Sequence, residues 1–235
     1  MSLKLSYPLF FGAARDMIPL LVAAAPFGTV YGALATSQGL SEWLVMAMSL
    51  LVFAGASQFI AVTLLAASTA YPIIILTVFV VNLRHMLYSA SLMTHLEKVP
   101  QWLRAPMAFW LTDESYAVVS RYSLQKSNTS DFISYYLGAS LSMYINWAFF
   151  SWLGMVLGQR ISNIESWGLE VAMIVAFVGI VVPVMKTRAD WACASTAMVS
   201  ALLTFDWPHQ TGLLFSSVLA IIVGLIVSVR KKGVS

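Results

Sequence analysis

Apolar residues fall in long runs separated by short polar clusters, and the runs have the length a bilayer demands. A helix needs about 20 mainly apolar residues to cross the hydrocarbon core. Eight runs meet or approach that length, near 10–36, 42–68, 71–95, 101–122, 132–158, 169–187, 190–205 and 211–229. The fourth is the most polar and the seventh is short, so seven crossings is the alternative count. The pattern predicts an all-α, polytopic bundle of transmembrane helices. No soluble domain, long linker or low-complexity tract fits between the runs, and residues 1–235 read as one membrane domain. Ala23-Ala24-Ala25 has the small-residue character of a signal-peptidase site, but apolar character continues past Pro26, which makes the first run a retained span.

The interruptions inside the runs carry the chemistry. Pro26-Phe27-Gly28, followed by Gly32, sits in the middle of the first run. Proline removes a backbone donor and frees an upstream carbonyl, which predicts a broken helix. The competing reading is a kink with small residues at a helix interface. The second run centres on Phe53-Ala54-Gly55-Ala56-Ser57-Gln58-Phe59, where small residues permit close backbone approach and Gln58 brings an amide into the bilayer core. A second broken helix is expected here, with backbone groups free to bind a substrate; the alternative is an interhelical hydrogen bond from Gln58.

The third run is almost wholly apolar until Asn82-Leu83-Arg84-His85. An arginine at mid-bilayer costs roughly 2.5–3.5 kcal/mol on insertion scales and is retained for a reason. At helical spacing Arg84 shares a face with Tyr88 and Ser91, and Asn82, His85 and Ser89 form a neighbouring stripe. The reason is either transport or an ion pair that locks two helices. The fourth run contains Thr112-Asp113-Glu114-Ser115 near its middle, with Asp113 on a face with Phe109 and Tyr116. Thr112 or Asp113 is also suited to capping a helix that begins there. Ser140, Ser142, Tyr144 and Asn146 in the fifth run either line a polar path or bond between helices.

Composition supports the membrane reading. Sixty per cent of residues are hydrophobic and 10% are charged, against roughly 25% charged in ordinary soluble domains. The formal net charge of +3 is too small to suggest nucleic acid. In eight crossings, Lys and Arg divide nine to three between the two sides, with Lys4, Arg15, Arg121, Lys126, Lys186, Arg188 and Arg230 to Lys232 on the side of the termini. The positive-inside bias then places both termini in the cytoplasm. Lys98 and Arg104 are discordant, falling on the other side with Arg160. Cys193 is the only cysteine and His85, His95 and His209 lack ligand spacing, so no metal site or cofactor is expected. No phosphate loop is present, so ATP hydrolysis by this chain is not expected.

Pro26-Phe27-Gly28 with Tyr31-Gly32, Phe53 to Phe59, Asn82-Leu83-Arg84-His85 with Leu87-Tyr88, and Leu111-Thr112-Asp113-Glu114 resemble, in order and spacing, the AzlC family (YgaZ type) of branched-chain amino acid exporters. The resemblance implies a bacterial inner-membrane permease subunit that exports valine, leucine and isoleucine. It also implies a small hydrophobic partner subunit of the AzlD type. Alternatives are an exporter of another small amino acid such as methionine, a channel-like facilitator, a scaffold subunit, or an intramembrane hydrolase using His85 and Asp113. No serine-nucleophile motif or metal triad accompanies that last pair, so the chain is read as a transporter and not an enzyme.

The expected site follows from charge. An amino-acid zwitterion at mid-depth needs both its charges met. Arg84 offers a carboxylate a planar fork of donors, and Asp113 or Glu114 meets the ammonium. Gly28, Gly55, Ser57, Gln58 and Asn82 are the remaining candidate substrate contacts. Phe53, Phe59, Phe109 and Tyr116 are candidates for walling an apolar tail. His85, Asp113 and Glu114 are the candidates for proton coupling.

Overall fold

The computed structural model describes residues 5–97, 99–123, 128–160, 178, 182, 185–207 and 211–232. Among them, all regular structure is helical. The helices are α1 (Tyr7–Ser37), α2 (Glu42–Ala47, running into a π-helical turn Met48–Val52), α3 (Gly55–Ala66), α4 (Tyr71–Leu96), α5 (Gln101–Phe109), α6 (Asp113–Ser123), α7 (Thr129–Arg160), α8 (Arg188–Leu203) and α9 (Thr211–Lys232). The sixth expected span, 169–187, lies almost wholly outside the described residues. Contacts gather the chain into two compact units, residues 1–67 with 81–169, and residues 68–80 with 170–235.

The first unit is organised on α1 and α7, which lie side by side and parallel. Ser6 N donates to Ser134 Oγ at one end (2.9 Å), and Asn146 Nδ2 donates to Leu21 O further along (3.2 Å). The seam is made of small residues. A Cβ on Gly32 would fall on the Ser151 carbonyl, and one on Gly154 would fall on the Thr29 carbonyl. Such glycines let two backbones approach and substitute van der Waals contact for the hydrophobic effect, which is weak between helices in lipid.

The first helix is not broken, contrary to the expectation from Pro26. α1 is continuous from Tyr7 to Ser37 with Pro19 and Pro26 inside it. The physical reason is α7. The Gly28–Gly32 face just beyond Pro26 is filled by Phe150, Ser151 and Met155, and Asn146 Nδ2 ties the same seam to the Leu21 carbonyl. The packing reading of these small residues is the one realised.

The second and fourth expected spans each fold back as a helical hairpin instead of running as one continuous helix. Tyr31 Oη donates to the Val45 carbonyl (3.1 Å), while its ring meets Phe59 edge-on (centroids 5.8 Å apart). In one straight helix Val45 and Phe59 would stand about 21 Å apart. Gln58 Nε2 reaches back to Ser49 Oγ (3.1 Å) across the same turn. The turn is Phe53-Ala54, where Phe53 adopts the left-handed conformation (φ 46°). A non-glycine residue there costs roughly 1–2 kcal/mol, offset by its edge-on packing on Tyr144 (4.9 Å).

α5 and α6 form the second hairpin, turning at Trp110-Leu111-Thr112. Beyond that turn Asp113 meets Arg84, and Tyr116 meets Tyr88 and Ser91. α6 therefore runs parallel to α4 and ends beside the start of α7, where Tyr122 stacks on Tyr135 (4.0 Å). His95, at the end of α4, stacks on Phe132 of α7 (5.1 Å). Arg104 donates to the carbonyls of Glu97 and Val99 (both 2.9 Å), so α5 starts at that same end.

The topology repeats with inversion. α1 runs one way and is followed by a hairpin from its far end; α4 runs the opposite way and is followed by a hairpin from the opposite end. Inverted repeats of this kind escape sequence comparison and bring discontinuous helices together at mid-depth. α1, α4 and α7 are also the three described helices long and apolar enough to cross a membrane, whereas α2, α3 and α9 contribute shorter apolar segments.

In the second unit α8 and α9 pack antiparallel. Thr204 Oγ1 lies 3.3 Å from Ser216 Oγ, and Gly224 faces Cys193. Thr187 and Asp190 close a capping box at the start of α8, which gives this polar loop the structural role its composition suggests. Large apolar side chains stand outward throughout, Phe11, Leu51, Phe79, Leu87, Leu203 and Val229 among them. That surface is stable against lipid and not against water.

Candidate functional site

The two hairpin tips meet the middle of α4. A cavity of about 230 Å³ lies among Phe53, Ala54, Asn82, His85, Phe109 and Leu111. Its walls are apolar and aromatic apart from Asn82 and His85. Phe53, Phe109, Trp110 and Tyr144 form one aromatic cluster behind it, with centroids 4.9–6.3 Å apart. Tyr144 Oη donates to the Leu50 carbonyl (2.9 Å), one of the backbone groups freed by the turn.

Beside the cavity, Arg84 Nη1 and Asp113 Oδ2 form an ion pair at 2.5 Å, with each side chain about one third exposed (33% and 32%). The pair is incomplete. Arg84 Nε and Asp113 Oδ1 are buried without partners, as is Trp110 Nε1. Buried polar atoms of native proteins are nearly always hydrogen-bonded. Here one free donor on a cation and one free acceptor on an anion stand at a single site.

α6 begins at this point because Thr112 caps it. Ser115 N donates to Thr112 Oγ1 (3.3 Å) and Thr112 N donates to Ser115 Oγ (2.8 Å). The cap takes up Thr112 and Ser115, Glu114 turns back onto Thr112, and Asp113 is left to meet Arg84. Glu114 is part-buried beside Thr112. α3 begins at the other tip, and no side chain caps it. Two helix N-termini thus stand at the hairpin tips, and the positive ends of their dipoles favour an anion.

Asn82 and His85 line the cavity, the Arg84–Asp113 pair stands next to them, and Gly28, Gly55, Ser57 and Gln58 are not among its lining residues. Ser57 Oγ donates to Asn82 Oδ1 (2.8 Å) and orients it. Gln58 is fully buried, donating to Ser49 and accepting from Trp147 Nε1 (3.0 Å). Its amide is engaged within the fold, the interhelical bond that was the competing expectation. Gly55 lies under the Trp147 indole, where a Cβ would approach Cη2 to 2.8 Å. Gly28 belongs to the α1–α7 seam. Phe53 and Phe109 wall the cavity, Phe59 packs on Tyr31, and Tyr116 stacks on Tyr88 (4.5 Å). In α7, Tyr144 and Asn146 bond to other helices and Ser142 bonds to its own backbone.

Trp110 and Trp147 are not legible as site residues in the sequence, and Tyr144 is legible there only as part of a polar path or an interhelical bond. Aromatic residues are so frequent in membrane helices that no signal separates them in one sequence. A test of the Gln58 assignment is direct. Gln58→Leu is expected to cost about 1–3 kcal/mol by stranding Trp147 Nε1, read as a lowered unfolding temperature in detergent. An unchanged temperature with lost substrate binding would return Gln58 to the site.

Comparison with known proteins finds a matching family and several membrane-protein relatives. A family model described as AzlC protein matches residues 19–161, the stretch that holds both hairpins. The inner membrane protein YgaZ of Escherichia coli is 28% identical over 222 residues, covering 92% of this chain and 86% of that protein. An uncharacterised membrane protein of Helicobacter pylori is 29% identical over 174 residues, 72% of this chain and 74% of the relative. One of Archaeoglobus fulgidus is 37% identical over 145 residues, 61% of this chain and 60% of the relative. No solved structure matches.

Proposed function

The chain is a membrane protein of the AzlC family, and from that premise we propose that it is a secondary transporter subunit exporting branched-chain amino acids across the bacterial inner membrane. The observation that carries the reading is the half-satisfied Arg84–Asp113 pair beside a small apolar cavity. A zwitterion fits it in both signs. Its carboxylate bonds the free guanidinium edge and its ammonium bonds Asp113 Oδ1. A branched aliphatic tail enters the cavity between Phe53 and Phe109. In the empty site the two side chains neutralise each other, which lowers the cost of keeping them in low dielectric. Asp113 itself, and His85 and Glu114 adjacent to the pair in sequence, are the groups proposed to couple transport to protons.

The fold-back of two expected spans supports six crossings in place of eight. These are α1, α4, α7 and the runs near 169–187, 190–205 and 211–229. Both termini still share the cytoplasmic side. Eleven Lys and Arg residues then fall on that side, Arg160 alone falls on the other, and Arg84 is intramembrane. Lys98 and Arg104, discordant in eight crossings, join the majority. In a chain whose Cys193 is replaced by serine, cysteines at Glu97 and at Gln38 are expected to react with impermeant maleimide from opposite sides, Glu97→Cys only from the cytoplasm. Labelling of Glu97→Cys from outside would restore eight crossings.

The proposed AzlD-type small subunit is a partner for activity. Proteoliposomes loaded with labelled valine are expected to show efflux that rises severalfold when the small subunit is co-reconstituted. Absence of valine, leucine and isoleucine flux from the complete pair, with methionine flux present, would move the substrate to the runner-up.

A further inference from the structure

A second cavity, far larger at about 870 Å³, lies in the first unit between the first turns of α1, the last turns of α6 and the first turns of α7. Its lining includes Arg15, Asp16, Arg121 and Tyr135. The Tyr135 hydroxyl donates to Asp16 Oδ2 at 2.6 Å and fixes that carboxylate on the wall. Neither guanidinium has an ion-pair partner among the described residues. Leu9, Pro19 and Val118 supply an apolar floor. Two free forks of donors, one anchored carboxylate and an apolar floor repeat, in a wider and wetter form, the chemistry of the Arg84–Asp113 site.

α6 joins the two places. Asp113 is its first residue, and Arg121 follows eight residues later, about 12 Å along the helix axis. A planar guanidinium matches carboxylate geometry, and a carboxylate beside it can meet the ammonium of the same zwitterion. We propose that this cavity is a second amino-acid station at the mouth of the pathway, binding the substrate carboxylate on Arg15 and Arg121 and its ammonium on Asp16. The inference rests on the zwitterion reading of the central site. It adds a capture site on the side of the N-terminus, which is the side from which an exporter loads.

The test is equilibrium dialysis of the full-length purified protein with labelled leucine at low ionic strength. Wild type is expected to bind two leucines per chain. Arg15→Gln/Arg121→Gln is expected to bind one, with the remaining site intact, and Arg84→Ala is expected to keep the peripheral one. The peripheral site is expected to weaken at least tenfold when salt is raised from 20 mM to 500 mM, as the Debye length falls from about 20 Å to about 4 Å and screens its exposed charges. Should the double variant fold poorly, Gly12→Leu serves instead. A Cβ at Gly12 meets nothing within 4 Å, and the added side chain projects into the cavity between Arg15 and Asp16 and the α6 wall without removing a charge. Two leucines bound by either cavity variant would overturn the proposal. A single wild-type leucine lost in Arg84→Ala would overturn it and leave the central site standing. A single leucine lost only in the cavity variants would do the reverse. Displacement of the peripheral leucine by phosphatidylglycerol at equimolar amounts would assign the arginines to a lipid headgroup and overturn it, and no binding by any variant would overturn both sites.

Discussion

Arg84→Ala is expected to leave an inserted, folded protein whose valine efflux falls at least about a hundredfold, close to 2.7 kcal/mol of lost stabilisation. The argument is electrostatic. Removing the guanidinium takes away the only intramembrane cation and strands Asp113 in a site of reduced dielectric. Breaking a buried pair costs about 3–5 kcal/mol, and the one-third exposure of both side chains reduces that penalty. The protein therefore survives while the site does not.

Arg84→Lys separates transport from locking. Lysine keeps the charge and can still hold Asp113, but it has no fork for a carboxylate. A locking role predicts normal efflux from Arg84→Lys at normal stability. A binding role predicts strongly impaired efflux at normal stability. Asp113→Asn completes the set, removing the ammonium partner and the titratable group together, so that residual efflux loses its dependence on a proton gradient. Normal valine efflux from a folded Arg84→Ala variant would end the proposed site.

The largest structural effect is expected at the α1–α7 seam. Gly154→Leu should yield no monodisperse protein after solubilisation. A Cβ at Gly154 falls on the Thr29 carbonyl, and the backbone there cannot turn aside as a long side chain can. Overpacking a well-fitted core costs about 1–3 kcal/mol per added group, and here it separates the two helices that organise the first unit. Gly12→Ala on α1 is the control. Its Cβ meets open space, and replacing a helical glycine is worth about 0.5–1 kcal/mol in the opposite direction. Size-exclusion profiles of the two variants decide the matter, and a well-behaved Gly154→Leu protein would mean that the seam is looser than its glycines imply.

The chemistry was more legible in the sequence than the topology. Arg84 and Asp113 stood out because ionised groups are costly in lipid, and the structure pairs them. Thr112 read as a cap because its neighbours Asp113, Glu114 and Ser115 suit a first turn, and it caps α6. The break near Phe53 followed from its run of small residues. The hairpins were hidden because hydropathy measures length and not direction. Two short apolar helices joined by a tight turn fill a window as well as one long helix does. The readable sign was the misplaced charge of Lys98 and Arg104. Pro26 misled because the α7 side chains that pack beside it and keep α1 continuous lie more than 100 positions away, and the Trp147 partner of Gln58, 89 positions away, could not be read from the sequence.

The two hairpins enter from opposite ends and stop at the same level of α4. In the proposed transporter each turn would serve as a door that swings on one face while its counterpart stays shut. The barrier between the two aqueous compartments shrinks to the thickness of the tips. The membrane voltage then falls steeply across that short gap, where moving one elementary charge is worth about 2.3 kcal/mol per 100 mV. An amino acid at neutral pH carries no net charge, and the Arg84–Asp113 pair sums to zero. Passage of the substrate alone is thus electrically silent, and the current carried per molecule exported counts the coupling ions directly.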